Sequence, residues 1–380
     1  MKVLINAVGA KMGGALTALR SLGEELARQT APHHFVFYVT RAFARHPMPS
    51  APNLEWHVAT AETPAHRLWW DQVTLRRLLR QHRADALFSF ANYGQLFCSV
   101  PQLLSVQSSI YFSALYRQHI LSHKPLSFRI TFALRRWWVR RSVRASDCVL
   151  APAASLLADL RRAVPLREGG TAVNPFGVAA TALDPPARSY DGRIDLLLPT
   201  LYTDYKNLGT ALRALQLLRE RHGDRFRLLT TANPRQESRR TSVTWKEDVE
   251  LLDELVQAGA VDVVGPLPHK ELLQLYARCH LLVHPTLTES FGFPLVEALA
   301  AGLPVVASDI PVNRELARDA ALYFDPLDPE QLATRVEEIV VNGNHREELI
   351  RRGREQVRTF CWAAHVRRLL DSLDKLAARD

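Results

Sequence analysis

The stretch His284-Pro-Thr-Leu-Thr-Glu-Ser-Phe-Gly-Phe-Pro-Leu-Val-Glu-Ala-Leu-Ala-Ala-Gly-Leu-Pro-Val-Val-Ala-Ser-Asp309 leaves few folds open. Leu281 to Val283 is a short apolar run that ends a buried strand, and Thr286 to Phe293 has the hydroxyl, Gly and Phe content of a turn. Pro294 is suited to open a helix, which runs to about Ala301 and stops at Gly302. Pro304-Val-Val-Ala-Ser then reads as the next buried strand. Strand, turn, helix and strand in so few residues demand a parallel pair with a crossover helix. Two carboxylates fall on it, Glu289 on the loop and Glu297 in the opening turns of the helix. Both then face the carboxyl edge of a parallel sheet, where open α/β sheets bind nucleotides. Either glutamate alone is also what a surface helix start would carry to complement its dipole.

The rest of the chain repeats the pattern. Val3 to Val8 reads as a strand, Gly9 to Gly14 as a loop, Ala15 to Gln29 as a helix and His34 to Thr40 as a strand. Gly13 and Gly14 let backbone amides approach a ligand closely, although a structural turn explains the pair equally well. Ala86 to Phe90, Gln102 to Val106 and Cys148 to Ala151 are the later strands of this half. The polar, Pro-rich residues 181–193 read as a joint, after which Ile194 to Pro199, Phe226 to Thr231, Val261 to Gly265, Leu281 to His284 and Pro304 to Ser308 form a second series. The expectation is an α/β protein with an N-terminal Rossmann-like domain at 1–182, a C-terminal one at 190–362, and a last helix at 363–380 packing back on the first domain.

Composition bears on partners and setting. In 380 residues there is room for about two domains, and no stretch of eighteen apolar residues reads as a membrane span. The start, Met1-Lys-Val-Leu-Ile-Asn-Ala-Val-Gly, reads as a first strand and not a signal peptide. Cys98, Cys148, Cys279 and Cys361 stand far apart, which suits free thiols in a reducing cytoplasm, and no His or Cys spacing points to a metal. The net charge of +9 is uneven: residues 1–180 hold 22 Lys plus Arg against 9 Asp plus Glu, and the remainder 26 against 30. Much of the excess lies in 128–144, where Arg135, Arg136, Arg140, Arg141 and Arg144 alternate with Phe132, Leu134, Trp137, Trp138 and Val139. Such a helix can lie on an anionic membrane surface, or be solvated with its tryptophans packed inward; no recognition motif accompanies the charge to suggest nucleic acid.

With its two glutamates and the following Ala-Gly-Leu-Pro-Val-Val-Ala-Ser, the 284–309 stretch resembles the E-x7-E signature of the retaining GT-B glycosyltransferases, family 4 in particular. Val261 to Tyr276 and Glu315 to Pro326 are similar to the family's segments on either side. The resemblance implies two Rossmann-like domains facing a central cleft, an acceptor domain first and a donor domain second. It implies transfer of mannose or another hexose from a GDP- or UDP-sugar to a saccharide or lipid-linked saccharide, with retained configuration and with neither metal nor other cofactor. Glu297 would bind the ribose hydroxyls. Glu289, with Ser290, Phe291, Gly292 and Phe293, would hold the donor sugar, and Leu267 would meet the base. Lys206, beside Asn207, would meet the diphosphate as it gains charge, with the Gly13 and Gly14 amides opposite. Two departures stand out. Leu198-Pro-Thr-Leu-Tyr202 lacks the family's usual Gly-Arg, and Val106-Gln-Ser-Ser109 stands where its His-Asp would be, so Gln107 would position and not titrate. A polysaccharide setting in the cytoplasm, with peripheral membrane association, follows by analogy. A catalytically inactive nucleotide-sugar-binding relative and a GT-B sugar-nucleotide epimerase stay open.

Overall fold

The computed structural model describes residues 1–378 except 12, 30–32, 62, 179–187 and 236–241. Packing divides the chain into two compact units, one of Met1–Phe112, Ser127–Gly177 and Phe360–Asp380, the other of Ser113–Leu126 and Val178–Thr359.

The first unit is a parallel sheet of β1 (Lys2–Asn6), β2 (His34–Val39), β3 (Leu54–Val58), β4 (Ala86–Ser89), β5 (Gln102–Ser105), β6 (Cys148–Ala151) and β7 (Thr171–Val173). Their order in space is β3-β2-β1-β4-β5-β6-β7, so the direction of chain progress reverses between β1 and β4. Val3, Leu4 and Ile5 are wholly buried on both faces, which is why β1 reads as a continuous apolar run and not as an alternation. The helix Trp362–Ala377 belongs to this unit: Asn174 Nδ2 donates to the His365 carbonyl (3.2 Å), and His365 Nδ1 lies 2.9 Å from the Pro175 carbonyl. Burial lowers the His365 pKa to about 4, so the ring is held neutral.

The second unit is a parallel sheet of β8 (Ile194–Leu198), β9 (Phe226–Thr230), β10 (Val261–Val263), β11 (Leu281–His284), β12 (Val305–Ser308) and β13 (Leu322–Phe324). The order is β10-β9-β8-β11-β12-β13, and here the reversal falls between β8 and β11. Leu196, Leu198, Phe226, Leu228, Val283 and Val306 pack on one face beneath the helices Leu208–His222 and Pro329–Val341. At roughly 1.5–3 kcal/mol for each fully buried large apolar side chain, this layer is a principal source of the unit's stability.

The structure departs from the sequence-based outline in its edge strands, in the later part of the joint and at Ser113–Leu126. β3, β7 and β13 were not expected: all three are edge strands, β7 and β13 have three residues each, and β3 alternates polar and apolar residues with none fully buried. Residues 181–187 of the joint lie outside the described residues. Its later part is no free linker: Arg188 Nη1 donates to the Gly302 carbonyl (2.9 Å) and Tyr190 Oη to that of His280 (2.7 Å). Ser113–Leu126, drawn into the first domain by a boundary at 182, packs with the second unit instead. Its Lys124 forms a buried ion pair with Asp204, and Tyr116 stands edge-on to Tyr205, their ring centres 6.4 Å apart.

Among the described residues no helix is long and apolar enough to cross a membrane. In the basic helix, Leu126–Ala145, Phe132 and Val139 turn inward and Trp138 packs on Tyr93, at 5.0 Å between ring centres. Leu126, Ile130, Leu134 and Trp137 point outward, each more than half exposed. Their spacing of four, four and three residues makes them one stripe. Trp138 thus packs inward, as a solvated helix requires, and Trp137 does not. All four cysteines are free thiols.

Candidate functional site

The second unit gathers its charged loop residues where the strand order reverses. β8 and β11 are neighbours, with Leu196 beside Leu281 and Leu197 beside Leu282, and the loops leaving their carboxyl ends carry Lys206 and Glu289. A sheet edge parts its outgoing loops only at such a point, which leaves room for a ligand.

After β8 the chain passes through the short turn Asp204–Lys206 and reaches Asn207, whose backbone is left-handed (φ 59°, ψ 45°). Asparagine tolerates that conformation and uses its side chain to hold it. Nδ2 donates to the carbonyls of Pro285 (2.9 Å) and Pro326 (2.7 Å), and Oδ1 accepts from Thr210 Oγ1 (3.0 Å). Asn207 thus ties three loops together. The Tyr205 carbonyl accepts from Leu287 N (2.8 Å) and Thr286 Oγ1 (3.0 Å), which ties the same turn to the loop after β11.

These ties bring Lys206 Nζ onto Glu289 Oε1 in a short charge-assisted hydrogen bond. The side chains are 17% and 10% exposed, so the pair is shielded from bulk water but within reach of a ligand. Burial works against the ammonium charge, and Glu289, with Tyr205 beside it, more than offsets that, so the Lys206 pKa is raised. At neutral pH the group is a cation. His284, the last residue of β11, is buried beneath, with Nε2 3.8 Å from Glu289 Oε1. Burial lowers the His284 pKa to about 4; Glu289 opposes that shift and Lys206 adds to it.

Gly292 is the cap of the helix Phe293–Ala300 and takes φ 72°, a value that favours glycine, and Pro294 sits in the first turn as expected. Phe291 is buried and Phe293 packs edge-on against it (5.1 Å), while Ser290 is half-buried on the loop. Glu297 lies on the buried side of that helix. Tyr276 Oη donates to its Oε2 (3.0 Å), and His269 Nε2 lies 2.9 Å from Oε1. The hydrogen bond to Glu297 raises the His269 pKa, with burial opposing it. Burial, reinforced by Glu297, pushes the Tyr276 phenol far up, so it stays a donor. With two donors fixed on it, the carboxylate keeps its remaining lone pairs in a defined direction. Leu267, two residues before His269, is half-buried on the loop that leads into the helix His269–Arg278.

Sequence reasoning picked out Lys206, Asn207, Glu289 and Glu297 but not His269, Tyr276 or His284. Only a lone histidine ending an apolar strand, and a histidine and tyrosine one helical face apart, could have signalled them. At Leu198 to Tyr202, which carries no cation, Tyr202 turns inward and its hydroxyl donates to Asp248 Oδ2 (2.7 Å).

In the first unit the loop leaving β1 carries the exposed Lys11, and a buried pair, Arg67 Nε to Asp71 Oδ2 (2.6 Å), meets the end of β1 where Asn6 Nδ2 donates to Asp71 Oδ1 (2.8 Å). Gly13 precedes the helix Gly14–Arg28 with φ 57° and ψ −142°, and both glycines are exposed. Gln107 follows β5: its backbone amide donates to Asn92 Oδ1 (2.8 Å), and its Nε2 to the Phe90 carbonyl (2.5 Å) and Ser105 Oγ (3.2 Å). The side-chain carboxamide is thereby committed to its own unit, with its oxygen as the group left to offer.

Residues 187–356 match the model of the glycosyl transferases group 1 family. O-antigen chain mannosyltransferase B of Escherichia coli is 30% identical over 159 residues, 41% of this chain and 39% of that protein. The matched stretch therefore spans well under half of that relative's length. Among solved structures, a sucrose-phosphate synthase from Thermosynechococcus elongatus superposes with a TM-score of 0.77 at 19% identity, over 100% of both chains. HepE of Anabaena, in complex with UDP-glucose, gives 0.72 at 16%, over 99% of this chain and 100% of that one. The chain has the GT-B fold, and its residues 187–356 are similar to the group 1 glycosyltransferases.

Proposed function

We propose that this chain is a retaining glycosyltransferase that moves mannose or another hexose from a nucleoside diphosphate sugar to a saccharide or lipid-linked saccharide in glycan assembly. The observation that carries it is the Lys206–Glu289 pair at the switch point of the second unit, in the segment that matches the family, with Glu297 on the adjoining helix. Lys206 neutralises the diphosphate as the bond to the sugar breaks, which is where charge develops. Glu289 and the Ser290 to Phe293 backbone hold the sugar, Glu297 the ribose, and Leu267 the base. No metal is needed where a fixed cation meets the leaving group. In the first unit, the Gly13 and Gly14 amides serve the diphosphate and Gln107 positions a substrate hydroxyl without titrating. The departing phosphate takes the acceptor's proton. A mannosyltransferase of O-antigen among the relatives favours mannose, and UDP-glucose in a structural neighbour keeps a uridine donor in view.

A thermal-shift panel with guanosine and uridine diphosphates and their sugars, with and without chelator, tests the site. Stabilisation by one base family that survives chelator supports it. No stabilisation by any nucleotide removes it. Binding without turnover of the matching sugar donor and saccharide acceptors leaves an inactive relative, which the committed Gln107 carboxamide would suit.

The outward stripe Leu126, Ile130, Leu134 and Trp137, with Arg129, Arg141 and Arg144 also exposed and no acidic residue in that helix, supports peripheral docking on an anionic membrane. The neighbouring Arg136 is half-buried, so charge reversal at Arg135 and Arg136 would disturb the unit as well as the surface. Trp137→Glu with Arg141→Glu is the cleaner test, and unchanged cosedimentation with phosphatidylglycerol vesicles would dispose of the docking.

A further inference from the structure

His284 is buried at the same sheet edge as Lys206 and Glu289, and nothing proposed so far gives it a task. An apolar residue would serve the strand better, because a buried ring nitrogen without a partner costs about 1–3 kcal/mol. Among the described residues Nε2 has no hydrogen-bond partner. It stands 3.8 Å from Glu289 Oε1, the oxygen that receives the Lys206 ammonium. One bond to that oxygen is made and a second waits just beyond reach. A Cβ at position 292 would lie 3.6 Å from His284 Nε2 and 3.8 Å from Glu289 Cγ, so the bare glycine leaves the space beside both groups open.

We propose that His284 is a positioning residue that takes the place of Lys206 on Glu289 when a nucleoside diphosphate sugar occupies the site. The inference rests on the donor site proposed above. A diphosphate draws Lys206 toward itself, and a carboxylate only 10% exposed then loses its counterion. Leaving such a charge uncompensated costs several kcal/mol. A movement of under one ångström brings the imidazole N–H within hydrogen-bond distance of the same oxygen, and Glu289 keeps its aim on the sugar hydroxyls. No proton need leave the ring for this, since a neutral imidazole donates through one nitrogen.

The charged groups facing the ring are Glu289 and Lys206. In the empty site burial and the Lys206 charge hold the imidazole neutral, against Glu289. Once a diphosphate compensates Lys206, the balance tips toward protonation while burial still opposes it. Binding then takes up a fraction of a proton in mildly acidic buffer.

The test is titration calorimetry of the whole chain at about pH 6, with the nucleoside diphosphate sugar that stabilises it, in two buffers of different ionisation enthalpy. Wild type is expected to bind with net proton uptake. His284→Phe keeps the bulk and loses the donor; it should bind about tenfold more weakly, with no uptake. His284→Gln keeps a donor and should recover most of the affinity, again without uptake. In a Glu289→Gln background, His284→Phe should cost no further affinity. If His284 is only core packing, the Phe variant will bind as tightly as wild type with a raised melting temperature, and the inference falls while the donor site stands. If wild type binds no nucleotide, both fall.

Discussion

The two sheets reverse direction in the same way, yet their outgoing loops carry different chemistry. The second unit places Lys206, Glu289 and Glu297 there, each paired; the first places exposed glycines beside Lys11, a buried Arg67–Asp71 pair and, after β5, a glutamine whose amide is already engaged. A buried or half-buried charge must be compensated, so each one fixes a partner and a loop geometry around it. Neutral amides impose no such demand. The fold supplies a reversal in both units; the second keeps its Lys206–Glu289 pair partly exposed there, whereas the first buries its Arg67–Asp71 pair against the end of β1.

The comparison can be broken most directly by mutating one group from each side. Lys206→Met is expected to lower kcat by about 10²–10³-fold, the scale of losing a group aimed at developing charge, whereas Gln107→Ala should stay within about tenfold. Steady-state rates with the matching donor and acceptor decide it, and equal losses would mean that the first unit contributes to the chemistry as much as the second. Glu297→Ala comes next, with donor Kd raised about 10- to 100-fold by calorimetry and kcat changed much less.

A smaller effect concerns stability. Lys206→Met and Glu289→Gln each leave a shielded group without its partner, so each should cost about 1–3 kcal/mol in denaturant unfolding, and the double variant should cost less than the two together. Additive losses would show that the pair is not coupled. The smallest effect belongs to His269, which is 41% exposed and therefore well screened. Its pKa is raised in the folded state, first by the hydrogen bond to Glu297. The bond's contribution is thus complete below the ordinary histidine pKa and is lost as pH rises through the raised value. The melting-temperature gap between wild type and His269→Ala should be widest near pH 6 and close toward pH 9, by no more than about 1 kcal/mol in all.

How much of this was legible in the sequence follows the same division. The strand, turn, helix and strand of 281–308 lie almost where the Pro and Gly punctuation puts them, because central parallel strands are buried on both faces and cannot be polar. Leu54–Val58, Thr171–Val173 and Leu322–Phe324 are less legible, since an edge strand is half wet and need not be a continuous apolar run. Lys206 and Glu289 were readable as residues, but their contact was not, being made by Asn207 and the Tyr205 carbonyl across about eighty residues of chain. His269, Tyr276 and His284 act through neighbours distant in sequence, and a single chain gives no hint of such partnerships. The placement of Ser113–Leu126 was hidden for a further reason: a buried Lys124 looks like any surface lysine until its Asp204 is known.

That segment, together with the helix Trp362–Ala377, bears on how the protein comes into being. A ribosome delivers Lys124 long before Asp204, and delivers β1 to β7 long before the helix whose backbone bonds to Asn174. Neither unit can therefore complete itself in the order of synthesis: the early strands wait for the last helix, and a peptide made early waits for the later sheet. Contacts so far apart along the chain slow folding and prolong the time that apolar edges stay open. For the same reason a single cut in the joint would not yield two intact halves. A fragment from residue 188 to 359 would expose Asp204 and Tyr205, next to the lysine on which the chemistry depends.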